Sequence, residues 1–195
     1  MIECYHDSMK LKEMIQNYIP FNEQEVKDKG FILQAMEVHE DLLHRSNPFM
    51  HFSSSCWVTN PTRTQVLMIY HKIYDSWAWC GGHADGEEDL CAVALKEMKE
   101  ETGVGQYLLL SDKPFSLEVL TVDGHVKRNK YVSSHLHLNL TYLIEADEKT
   151  PLILNKEETK GVKWIPVDLL KQEVREVWMM ENIYQKLVNK MKGAK

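Results

Sequence analysis

The spacing of apolar residues along the chain changes period and divides it into segments. Met9, Leu11, Met14, Ile15 and Tyr18 recur at helical intervals, and Pro20 stops that run because its ring and missing N–H cannot continue a helix. Asn22 followed by Glu25 predicts the start of a second helix through Ile32, Met36 and Leu43. Residues 1–47 are therefore expected to form a helical N-terminal extension. It reads as a packing element or small cap, with a lid or a homodimer contact as the functional alternative. From His51 the period falls to two. His51, Ser53, Ser55 and Trp57 alternate with Phe52, Ser54, Cys56 and Val58, Asn60-Pro61-Thr62 makes a turn, and residues 65–71 return as an antiparallel partner. Residues 77–80 form a short strand feeding a glycine turn, Gly81-Gly82.

The next helix places Leu90, Val93, Ala94 and Met98 against a sheet and ends at Gly103, since glycine is favoured just past a helix C-terminus. A strand over residues 117–122 leads to a loop over 123–130, which holds Gly124, His125, Lys127, Arg128 and Lys130 and is the locally basic segment. In residues 135–144, His135, His137, Asn139 and Thr141 share one face and Leu136, Leu138, Leu140 and Tyr142 the other. The polar face borders either bulk water or a groove. Both histidines can hydrogen-bond a phosphate or a ribose, and neither has partners at an obvious metal-ligand spacing. Glu157 and Glu158 lie in a polar loop, residues 161–165 form a short strand, and Pro166 opens a helix where proline is tolerated. A last helix from about residue 173 to 191 is expected to bury Val177, Met180, Ile183, Tyr184 and Leu187.

Candidate chemistry concentrates in residues 82–104. Glu97, Glu100 and Glu101 stand at i, i+3 and i+4, so at ~100° per residue a helix carries them within one arc. Three neighbouring anions repel unless they are well solvated or a cation neutralises them, and oxygen-only donors favour hard ions such as Mg²⁺ or Mn²⁺. A solvated surface helix rich in Glu and Lys is the plain alternative, but it does not account for Gly82, Glu88 and Gly103 at their offsets.

Those offsets carry a resemblance. Gly82, Glu88, Glu97, Met98, Glu100, Glu101, Gly103 and Val104 match the Nudix box of the Nudix hydrolase superfamily, with Lys96 where the family has arginine. An arginine can hold a carboxylate through two parallel hydrogen bonds, whereas lysine offers one mobile charge. The resemblance implies an α/β/α sandwich around a mixed sheet, with residues 48–195 as the Nudix domain. It further implies hydrolysis of the pyrophosphate linkage in a nucleoside diphosphate joined to another moiety. Divalent ions would be held by Glu97, Glu100 and Glu101, helped by the Gly82 carbonyl, and the general base would be Glu100, Glu101 or Glu158. His83, His135, His137 and Arg128 are the candidate contacts to substrate, and Trp57, Trp77 and Trp79 the candidate stacking platforms. A non-catalytic nucleotide sensor remains an alternative. So does an allylic diphosphate isomerase using Cys80.

A formal charge of −6 argues against a surface built for duplex nucleic acid, but not against a small phosphorylated ligand, because bound metal reverses the local field. Four cysteines at no ligand spacing, no apolar run of ~20 residues and no hydrophobic leader point to a cytoplasmic protein that does not enter membranes.

Overall fold

The computed structural model describes residues 11–127, 129–155 and 159–193. Two helices come first, α1 (Leu11–Asn17) and α2 (Glu23–Val38). Asn22 caps α2 by accepting the Glu25 amide at 3.0 Å, and the Glu25 carboxylate accepts the Phe21 amide at 2.7 Å. The helix ends short of Leu43, because His39 takes an extended backbone and residues 40–47 coil towards the sheet.

The sheet is centred on β1 (Met50–Thr59), which runs parallel to β9 (His135–Glu145) and antiparallel to β2 (Gln65–His71) and β4 (Cys80–His83). β3 (Ser76–Ala78) and β10 (Thr159–Pro166) pair with β2, while β5 (Leu108–Leu109) and β6 (Ser116–Val122) pair with β9. The sheet is thus mixed, in the order β10-β2-β1-β9-β5. The basic loop expected over 123–130 is instead part of a separate hairpin, β7 (His125–Lys127) with β8 (Lys130–Val132). Asn129 supplies the left-handed conformation, at φ 59°, that a tight hairpin needs.

Alternation along β1 sends its side chains into two cores. Phe52, Cys56 and Val58 join Leu90, Ala94 and Met98 of α3 (Leu90–Thr102), together with Ile15 and Ile32 from the N-terminal helices. Trp57 points the other way, onto Tyr184, Leu187 and Met191. Helices therefore cover both faces, giving the α/β/α arrangement.

The C-terminal helix departs from its expected course. α4 (Leu170–Glu173) ends where Val174 becomes extended, and helix resumes at residue 177 through a π-helical stretch, Met179–Tyr184, that runs into α5 (Gln185–Gly193). The interruption resets the helical phase, so Val174 is buried and Val177, expected in the core, is 65% exposed.

A buried ionic network joins the two ends of the chain. Lys186 of α5 contacts Glu118 of β6 at 2.9 Å and Glu25 of α2 at 3.2 Å, and Lys190 contacts Glu25 at 2.9 Å. Tyr18 and Ser116 donate to Glu25 at 2.6 and 2.8 Å, leaving both fully buried carboxylates paired and hydrogen-bonded. Among the described residues, no helix is long and apolar enough to cross a membrane.

Candidate active site

The expected glycine turn is a strand. Gly81 and Gly82 lie in β4, opposite Ser55 and Ser54 of β1. The two positions differ in what a side chain would meet: a Cβ on Gly81 would stand 2.5 Å from the Ser54 carbonyl oxygen, which is backbone, whereas one on Gly82 would meet the end of the Glu97 side chain. The reversal comes later, at Asp85 and Gly86, both with positive φ, where Arg45 clasps the Asp85 carboxylate through two hydrogen bonds of 2.6 Å. Asp89 then caps α3 by accepting the Ala92 amide at 2.9 Å, and Gly103, at φ 74°, ends it.

Helix and strand together sort the glutamates. Glu101 is 4% exposed, and its carboxylate accepts the Gly81 N–H at 3.0 Å. Glu97 is half-buried, with its carboxylate against Gly82. Glu100 is exposed, and Lys96 approaches it only to 3.9 Å, beyond hydrogen-bond range. Glu97 and Glu101 thus converge on β4, while Glu100 faces solvent. Donors that are all oxygen, two of them drawn onto the Gly81-Gly82 pair, suit a hard divalent ion.

Across the sheet from α3, a cavity of about 380 Å³ reaches β4 and is lined by Gly81, Gly82, His83, His137, Asn139 and Trp178, among others. Its floor is held in place. Asn139 accepts from Ser53 and Ser55 at 3.0 and 2.9 Å and donates to Glu118 at 3.1 Å, which ties the floor to the buried ionic network. His83 and His137 both face this space, and burial pushes their pKa values down, to about 3 and about 2 respectively. The rings are neutral at physiological pH. His135 lies beside His137, with their Nε2 atoms 3.3 Å apart.

The family profile described as "NUDIX domain" matches residues 50–187, more than half of the chain. The chain belongs to the NUDIX family. Its enzymatic class is that of the Nudix pyrophosphohydrolases, and solved structures share its fold. A Caenorhabditis elegans Ap4A hydrolase in a binary complex matches with TM-score 0.52 and 17% identity, over 73% of this chain and 95% of that one. The Mycobacterium smegmatis Nudix hydrolase RenU matches with TM-score 0.53 and 14% identity, over 74% and 88%. An Escherichia coli dihydroneopterin triphosphate pyrophosphohydrolase matches with TM-score 0.52 and 14% identity, over 71% and 95%. No curated protein sequence matches the chain significantly.

Within this Nudix domain, Arg128 and Glu158 lie outside the described residues. Trp57 is buried against Tyr184, and Trp77 packs edge-on to Tyr70 beneath Lys163. Of the three tryptophans expected as platforms, Trp79 lines the cavity. Sequence reasoning missed Trp178, which is 51% exposed at the cavity wall. It also missed His51. Its parity with Ser53 and Ser55 placed it on the polar face of β1, but its register opposite His137 depends on a parallel pairing between distant segments.

Proposed function

We propose that this Nudix enzyme cleaves the pyrophosphate linkage of a nucleoside diphosphate joined to another moiety, with Mg²⁺ or Mn²⁺ held by Glu97, Glu101 and the Gly82 carbonyl on the strand side and by Glu100 from the solvent side. The observation that carries the reading is the seating of Glu97 and Glu101 on the glycine strand that borders the cavity. When bound, the ion supplies charge neutralisation at the phosphates and at the leaving oxygen. The chain's own groups do the rest. The Gly81-Gly82 pair of β4 offers a stretch of bare backbone along which a diphosphate can lie, and Glu100, Glu101 or Glu158 takes the proton from the attacking water. Ser53, Ser55 and Asn139 hold a rigid polar floor under the nucleoside end, and Trp178 offers a face for a base.

Dinucleoside polyphosphates and organic triphosphates fit this class, in keeping with the printed names of an Ap4A hydrolase and a dihydroneopterin triphosphate pyrophosphohydrolase among the structural neighbours. Isomerase chemistry at Cys80 is disfavoured. That thiol is fully buried, and burial, with Glu101 nearby, pushes its pKa well up. A cytoplasmic location accords with the buried, unbridged thiols of Cys56 and Cys80.

The test is release of phosphate or pyrophosphate from a panel of nucleoside triphosphates, dinucleoside polyphosphates and nucleotide sugars in Mg²⁺. Glu101→Gln should lower turnover at least ~100-fold, the range of general-base and electrostatic contributions. Tight nucleotide binding without turnover by the unaltered protein would replace hydrolysis with sensing.

A further inference from the structure

Four imidazoles gather at one end of the cavity from three different strands. His51 and His137 are register partners across the parallel pair β1–β9, and His83 follows them from β4, opposite Ser53. The ring centroids of these three lie 4.9–5.1 Å apart, and His135 stacks on His51 at 4.9 Å. One ring nitrogen from each of His51, His83 and His137 lies within 4.8 Å of the other two. Among the described residues, this is the group of three or more metal-capable side chains drawn that close, and the glutamates of α3 do not form another.

Hydrogen bonding explains which nitrogens face inward. His51 Nδ1 lies 3.4 Å from the Asn47 carbonyl and His135 Nδ1 lies 2.8 Å from the Ser133 carbonyl, so each ring donates its proton outward and keeps a bare lone pair on Nε2. Backbone carbonyls commonly orient metal-binding histidines in this way. The His51 Nε2 is buried and has no hydrogen-bond partner. A buried acceptor without a partner is costly, and a cation is the group that lone pairs from several neutral rings can share.

We propose that His51, His83 and His137 form a binding site for one divalent ion of the zinc class, with His135 beside the fourth coordination position. Imidazole donors select borderline ions such as Zn²⁺, whereas the carboxylates of α3 select Mg²⁺ or Mn²⁺, so the chain sorts two kinds of ion between two sites. At a Zn–N length of 2.0–2.1 Å, tetrahedral nitrogens stand about 3.3 Å apart. His137 Nε2 donates to the bare Nε2 of His135 at 3.3 Å, which fixes the ring beside the site, and the three ligating rings close inward from within 4.8 Å. Burial keeps His51, His83 and His137 in the neutral, ligating form. The site does not depend on hydrolysis, but His83 and His137 bring its ion to the cavity wall, where it would meet an anionic part of the substrate.

The test uses the tag-free full chain, stripped with a chelator and dialysed against Zn²⁺ in excess Mg²⁺. Bound zinc is measured by elemental analysis, and Co²⁺ replaces it to reveal visible absorption bands of tetrahedral nitrogen coordination. The expected result is one zinc per chain. It should be retained by Glu97→Gln and Glu101→Gln and weakened at least ~100-fold by His51→Ala or His137→Ala. Thermal unfolding without zinc reports whether each variant is folded. If His51→Ala is not, His83→Gln serves instead, and zinc should raise the melting temperature of the unaltered chain but not of that variant. No bound zinc, zinc that survives all the histidine variants, or zinc lost with the glutamates would overturn the site. In the last case the ion sits on α3.

Discussion

Gly82 shows how one missing side chain can seat a carboxylate against a strand. The atom a Cβ would meet is the end of a flexible glutamate, not backbone, so Gly82→Ala can be accommodated by swinging the Glu97 carboxylate away. The variant is expected to fold with stability within ~1 kcal/mol of the parent, since alanine suits a strand at least as well as glycine. Turnover should fall by ~100-fold, because an ångström of misplacement at a reacting centre has that effect. Circular dichroism melts alongside steady-state rates check both halves, and unchanged turnover would mean that the position of Glu97 is immaterial. Lys96 stands in contrast. It reaches Glu100 as a loose, exposed pair at 3.9 Å, the behaviour expected of a single mobile charge where the family uses a bidentate fork.

At the level of elements, the broken C-terminal helix shapes the cavity. Had the helix run unbroken from residue 173, Val177 would have packed inward and Trp178 would have taken a different direction. The extended backbone at Val174 and the π-helical turn after it instead place Glu176, Val177 and Trp178 along the cavity wall. Trp178→Ala should raise KM by ~10-fold with kcat within about two-fold, the signature of lost ground-state and transition-state binding alike when a stacked base loses its platform. A change in kcat alone would assign Trp178 to positioning and not to base binding. Helix α3 is a simpler element, because an Asp89 cap, an apolar stripe and a left-handed Gly103 agree on its ends and its orientation.

For the whole molecule, the buried ionic network decides how the terminal helices and the sheet hold together. Burial pushes the Glu25 pKa up, but Lys186, Tyr18 and Lys190 outweigh it and hold the carboxyl below its usual range. A depressed folded pKa means that the stability Glu25 provides is fully present above the ordinary carboxylate range and is lost as pH falls through the folded value. Glu25→Gln should therefore cost about 3 kcal/mol near neutral pH, where it leaves buried ammonium groups short of a partner. The gap between variant and parent should narrow as pH falls through the lowered folded value. Urea unfolding of both proteins at pH 7 and in acid measures this, and a gap independent of pH would show that the pairing contributes nothing through charge.

Local chemistry made much of this protein legible from its residues alone. The period-two runs marked β1, β2 and β9, Asn22 and Gly103 marked helix ends, and the glutamates with Gly82 marked the family and its acidic helix, because each signal lies within a few residues of its partner. Tertiary structure decided the rest. That Gly81-Gly82 is a strand, that Glu100 parts from Glu97 and Glu101, that Lys186 bridges two distant carboxylates and that His51 meets His83 and His137 all follow from which strands pair, in which direction and register. Those pairings join residues tens of positions apart through backbone hydrogen bonds that are alike for every side chain, so no local spacing records them.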